Sequence, residues 1–95
     1  MGIGERQNTQ IFSVGQNYPN PFHQFTVIEI ELFKKNDIHI MLSTPTGQIV
    51  YESVFKQMKV GKHRIPIDGN SLSDGIYFYS ISNGSFSVTK KMMVD

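Results

Sequence analysis

The sequence predicts an all-β domain: an immunoglobulin-like antiparallel β-sandwich of about seven strands. Three observations carry this. Apolar and polar residues alternate with period two in several separate stretches, as half-buried strands require. Clusters of Gly, Pro, Asn and Asp punctuate the chain at short intervals. No stretch repeats its apolar residues at helical spacing. Short strands with frequent turn signals are the pattern of a sandwich. At 95 residues the chain holds one domain. A chain of this size buries roughly two thirds of its unfolded surface, which supports one core without a metal or disulfide.

Residues 1–10 are polar, carry Gly2 and Gly4 and show no periodicity, so they read as a linker or as a segment introduced for expression; the domain proper spans residues 11–95. Ile11 to Val14 forms a short first strand. Gln16-Asn17-Tyr18-Pro19-Asn20-Pro21-Phe22 then packs two prolines, two asparagines and two aromatics into seven residues. Each proline fixes its own φ, removes a donor and holds the preceding residue extended. Asn17 and Asn20 close local turns. The segment is a stiff clamp ahead of the first long strand, and it is expected to bury both Tyr18 and Phe22.

In Thr26 to Leu32, Ile28, Ile30 and Leu32 alternate with Val27, Glu29 and Glu31, giving one dry face and one mostly charged face. Ile38, Ile40 and Leu42 alternate with His39, Met41 and Ser43. Pro45 and Gly47 close a tight turn between Thr44 and Gln48. Gln48 to Phe55 is strand-like, but contiguous Ile49, Val50 and Tyr51 leave its facing open. From Gly61, His63, Ile65 and Ile67 share a face, and Pro66 marks an edge strand. Ile76 to Ile81 is aromatic and β-branched. Because Tyr77, Phe78 and Tyr79 are consecutive, at least one of them points away from the core. Asn83-Gly84 is a hairpin signal of type I′. With those two as the loop, Ile81 faces Phe86, Tyr79 faces Val88 and Tyr77 faces Lys90. A lysine on that inward face implies a bulge near Lys90-Lys91, or a stem lying over Tyr77 with its ammonium in water.

Nine basic and eight acidic side chains give a net charge of +1. That balance lacks the basic stripe of a nucleic-acid binder. With no cysteine there is no disulfide, thiol nucleophile or thiolate metal site. No apolar run approaches the ~20 residues that cross a bilayer as a helix. No serine sits in a G-x-S-x-G elbow, and the three histidines are scattered. His39 reads as a solvated surface residue, His63 as a core or rim residue bonded to backbone, and His23 as a loop residue. Asp68, Asn70 and Asp74 could offer oxygens to calcium, but the twelve-residue loop pattern is missing and turn building explains them. Glu29 and Glu31 read as a solvated strand face. Asn83-Gly84-Ser85 matches a glycosylation sequon, although hairpin geometry already accounts for it. No catalytic residue, metal site or cofactor is expected.

Taken in order, several of these motifs resemble a known family. Gln16 to Phe22 is similar to the opening signature of the type A C-terminal sorting domain of cargo exported by the type IX (Por) secretion system of certain Gram-negative bacteria. Thr26-Val27-Ile28, Thr46 to Val50, Gly61-Lys62-His63, Asp68-Gly69, Gly75-Ile76-Tyr77 and Lys90-Lys91-Met92 resemble its later blocks. The chain departs from the family pattern at His23-Gln24, Thr44, Gln48 and Ile67.

The resemblance implies an address tag rather than a catalyst. The partners it implies are a covalently linked N-terminal cargo domain, an outer-membrane translocon and a surface sortase. The route it implies runs through the periplasm to the outer membrane, the cell surface or the medium, with cleavage near residues 1–10. Gly75, Tyr77, Lys90, Lys91 and Met92 are expected to form the surface that the partners read, with Asn17 to Phe22, Asn83 and Gly84 as structural motifs. The alternative reading is an adhesive or carbohydrate-binding accessory module, with sugar rings stacking on exposed aromatics.

Overall fold

A computed structural model describes residues 11–95 of the protein. The linker assigned to residues 1–10, and any cleavage there, lie outside the described residues. The strands are β1 (Phe12–Val14), β2 (Phe25–Leu32), β3 (Asn36–Ser43), β4 (Ile49–Met58), β5 (Gly61–Asp68), β6 (Gly75–Ser82) and β7 (Ser87–Val94). They pair antiparallel into two sheets, β1-β2-β5 and β4-β3-β6-β7, with no helix among the described residues. The expected seven-stranded sandwich is the one found.

Alternation builds the core. Ile28, Ile30 and Leu32 of β2 and Ile38, Ile40 and Leu42 of β3 are fully buried, together with Phe12, Ile67, Tyr79, Ile81 and Met92. Each aliphatic side chain so removed from water contributes about 1.5–3 kcal/mol. The intervening residues of β2, Phe25, Val27, Glu29 and Glu31, stay at least partly in solvent. Glu29 there faces Arg64 across the strand pair, 3.8 Å away. Pro66 lies on β5, an edge strand, as a residue without a donor should.

Three expectations change. First, Phe22 is buried but Tyr18 is 80% exposed. Tyr18 is held in a strand-like bridge to Val27, so its neighbour Asn17 takes the inward position instead. Second, the β6–β7 register is displaced by two residues: Ile81 pairs with Val88, Tyr79 with Lys90 and Tyr77 with Met92. The Asn83 carboxamide accepts the N–H groups of Ser85 and Phe86, at 3.0 and 2.8 Å, which makes Asn83 the first turn residue rather than a central one. Only Gly84 of the pair has positive φ, so the turn is not type I′. Phe86 leaves the ladder and meets Phe12 edge-on at 5.4 Å. Third, the pairing is unbroken at Lys90-Lys91, so no bulge forms there.

The ambiguous facing of β4 has a physical origin. Its ladder with β3 slips between Leu42 and Ser43, where Val50 is the extra residue, and again between Asn36 and Ile38, where Lys56 and Gln57 lie opposite Asp37. Gln57 takes a φ of 51° and donates its N–H to Asp37 Oδ1 at 2.8 Å.

Gly69 follows β5, and its missing side chain makes room for the clamp. A Cβ there would lie 2.5 Å from Cε2 of the buried Phe22 ring. Gly69→Ala is therefore expected to cost about 1–3 kcal/mol through overpacking. A thermal melt checks this, since each kcal/mol moves the midpoint of so small a domain by about 4–8 °C.

The clamp and the C-terminal hairpin

The segment from Gly15 to Phe22 passes from one sheet to the other. It begins beside β2, with Gly15 N–H donating to Glu29 O at 2.9 Å and Tyr18 and Val27 exchanging both backbone bonds at 3.0 Å. After Pro19 and Pro21, which both follow cis peptide bonds, it runs along β7. Phe22 N–H donates to Met93 O at 3.1 Å, and Asp95 N–H donates to Phe22 O at 2.8 Å. The Asn20 carboxamide oxygen accepts Met93 N–H at 2.9 Å, and Gln16 Nε2 donates to Lys91 O at 2.8 Å. The clamp thus occupies the outer edge of β7 from Lys91 onward.

A small polar network holds the crossing. Asn17 is 2% exposed and donates from Nδ2 to Thr26 Oγ1 at 3.0 Å and to Pro19 O at 3.2 Å. Thr26, also buried, donates to Pro19 O at 2.7 Å. Gln16 Nε2 donates to the Asn17 carboxamide oxygen at 2.7 Å. From β6, the Tyr79 hydroxyl accepts Asn17 N–H at 3.0 Å and donates to Gly15 O at 2.9 Å. Buried polar groups are tolerated when satisfied in this way. Burial pushes the Tyr79 hydroxyl pKa up from its ordinary value, and the bond from Asn17 N–H offsets part of that rise.

The structure brings the expected recognition residues onto one hairpin but divides them between its faces. Gly75 opens β6 with a φ of 143°. Tyr77 is buried and donates its hydroxyl to Ser73 O at 2.7 Å. Met92, opposite Tyr77, is in the core. Lys90 is half-buried on the same inward parity, opposite Tyr79 rather than Tyr77. Lys91 points outward opposite Phe78. The period-two pleat allows no other outcome, because adjacent lysines on one strand face opposite ways. The expectation that Tyr77 and Met92 belong to an exposed surface is corrected accordingly.

Sequence reasoning overlooked the residues that share the outward face with Lys91. Ile76 pairs with Met93 and Phe78 with Lys91, while Ser43 of β3 lies between Phe78 and Ile49 of β4. Ile76, Met93 and Ile49 are exposed large apolar residues, and Phe78 is half-buried. The signal was present in the alternation, which sets Ile76 and Phe78 opposite in parity to Tyr77 and Tyr79. A hollow beside this row is lined by Asn20, Pro21, Lys91, Met92 and Met93, joining clamp to hairpin.

The scattered polar residues have local partners. His39 Nε2 lies 2.6 Å from Glu52 Oε2 on the outer face, and His63 Nε2 lies 2.7 Å from Lys59 O. Asp68 Oδ1 accepts Asn70 N–H at 2.9 Å, which is a turn-building role. Among the described residues, no three His, Asp or Glu side chains gather as a metal-binding set. No helix there is long and apolar enough to cross a membrane.

By class, then, this is a small antiparallel β-sandwich that displays a terminal hairpin and braces it with a clamp arriving from the opposite sheet. Residues 16–95 match the model of the secretion system C-terminal sorting domain, and the chain belongs to that family. The match begins at Gln16, the first clamp residue to touch β7. Domains of this family are the sorting signals of cargo exported by the type IX secretion system to the cell surface or beyond it. The family match gives no support to the adhesive or carbohydrate-binding alternative. Comparison with curated proteins found no significant match.

Tyr79→Phe removes both hydroxyl bonds and strands the Asn17 N–H in the interior. A loss of about 1–3 kcal/mol is expected, measured by denaturant titration. The pH dependence has a definite sign. A hydroxyl whose folded pKa is raised favours the folded state fully below the unfolded pKa, near 10. That contribution disappears as pH rises through the folded value. The natural protein should therefore lose stability in strongly alkaline solution more steeply than Tyr79→Phe, as paired melts on either side of pH 10 would record.

Proposed function

We propose that the type IX translocon engages this domain through the outward face of the β6–β7 hairpin, and that a surface sortase later separates it from its cargo. The cargo is joined ahead of the domain and transits the periplasm with it. Lys91, Ile76, Phe78 and Met93 form the contact. Gly75, Tyr77 and Met92 support it from beneath, and Lys90 lies half-buried on their inward parity. No nucleic acid, cofactor or metal takes part. The domain acts as the substrate of the machinery, without chemistry of its own.

The observation that carries this reading is a row of large apolar residues on β6 and β7, Ile76, Phe78 and Met93, at least partly in solvent beside Lys91, with β7 braced along its outer edge by the clamp. Apolar side chains grouped on one exposed face mark a contact surface more often than isolated ones do. Backbone pairing provides a second element. In β7 the odd-numbered residues Lys91 and Met93 turn backbone groups toward the clamp, so by alternation Ser87 and Thr89 turn theirs to open solvent. A partner strand can add along that uncovered half of the edge while side chains of the outward row confer specificity.

The test is to fuse residues 11–95 to an inert periplasmic reporter in a host carrying the secretion system. The parent fusion should reach the medium or the cell surface. The double variant Lys90→Ala, Lys91→Ala should remain folded by circular dichroism and be exported at least several-fold less. Normal export of the folded double variant would reject the hairpin as the contact.

A further inference from the structure

The opposite edge of the four-stranded sheet carries a different message. β4 pairs with β3 on one side, and neither sheet continues past it. Ile49, Val50, Tyr51 and Val54, all on this strand, are exposed large apolar residues, and Val54 is 55% exposed. The two ladder slips leave a regular stretch from Tyr51 to Phe55 between them. On the outer face of β4 stand Glu52 and Val54, and Lys56 follows at the start of the second slip, beside Asp37. In sequence the outward pattern is acid, valine, base.

That pattern is self-complementary under a two-fold axis. An antiparallel pair of β4 strands centred on Val54 sets Val54 against Val54 of a second copy. It also sets Glu52 against Lys56 twice, once on each side of the axis. On the inner face Ser53 then meets Phe55. The neighbouring face-preserving registers do not work as well. Centring on Ser53 sets Glu52 against Val54, and centring on Phe55 sets Val54 against Lys56. Centring on Glu52 or on Lys56 opposes like charges.

Each charge has a partner within the chain and would share it with the second copy. Lys56 is 78% exposed, and its nearest carboxylate, on Asp37, is 3.7 Å away. Glu52 uses one carboxylate oxygen for His39. We infer that the chain self-associates through β4, edge to edge about Val54, to form an eight-stranded sheet across two copies. The hairpin face and the clamp lie at the far edge of the same sheet and stay free in each copy.

Sedimentation of the 95-residue chain across micromolar to millimolar concentration tests this, with the folded state checked by circular dichroism. The natural sequence should shift toward twice its 10.8 kDa mass as concentration rises. Glu52→Lys and Lys56→Glu each oppose like charges at both contacts. Each should weaken self-association by about tenfold or more, from the scale of cross-strand charge pairs. Mixing the two variants should restore pairing, because one copy then offers two lysines to two glutamates. Restoration on mixing also shows that neither variant fails merely by misfolding. A natural chain that stays monomeric throughout overturns the inference. So do single variants that pair as well as the natural chain, or a mixture of folded variants that fails to pair.

Discussion

The two bonds of the Tyr79 hydroxyl hold this sandwich closed. Donating to Gly15 O and accepting from Asn17 N–H, the hydroxyl ties the centre of β6 to the segment leaving the edge of the other sheet. At that point the chain must abandon β2 and travel to β7. Its backbone groups lose one sheet before gaining the next, and buried groups without partners are costly. The tyrosine fills the gap from one side. Asn17 and Thr26 fill it from the other, with Pro19 O as their common acceptor. Prolines suit the remainder of the crossing because they bring no N–H that would need a partner.

Once the crossing is fixed, it determines what the C-terminal strand presents. β7 is an edge strand, and uncovered edges recruit other chains. The clamp covers its last residues through Gln16, Asn20 and Phe22. The half nearer the Asn83 turn remains uncovered, and the outward row of Ile76, Phe78, Lys91 and Met93 lies on the same sheet. A sorting signal has to be recognised by one machine and ignored by others. An edge shortened to a defined length beside a side-chain row suits that need better than a long, uniform edge. The arrangement also joins the two ends of the family match, since Gln16 bonds Lys91 O and Asp95 N–H bonds Phe22 O.

Much of the fold was legible because one face of nearly every strand is buried, so period two writes itself into the sequence. β2, β3 and β5 needed nothing further. Where the reading failed, a side chain had taken over a backbone role. The Asn83 carboxamide replaced a carbonyl as the acceptor in the turn and moved the hairpin register by two residues. Asn17 took the interior place assigned to Tyr18 because a satisfied amide fits a polar crossing better than a ring does. Propensity rules treat both residues as turn formers and do not say which partner each will find. The candidate site was half legible for a different reason. Motif resemblance selected Tyr77, Lys90, Lys91 and Met92 together, although motifs mix residues that are seen by a partner with residues that hold them in place. Alternation alone separates the two groups.

The same distinction applies to the two edges of the larger sheet. At β7 the protection is supplied by another segment, and it stops where the clamp stops. At β4 it comes from the strand itself, since ladder slips at Val50 and at Lys56–Gln57 twist the ends away from regular pairing. Bulges so placed prevent long, register-tolerant addition of arbitrary strands. They leave a short regular stretch, Tyr51 to Phe55, with Glu52 inside it and Lys56 at its margin. Uncovered edges recruit other chains, so a domain gains from restricting its own edges. Here each edge carries its own restriction, and each restriction leaves one short opening with a defined chemical pattern.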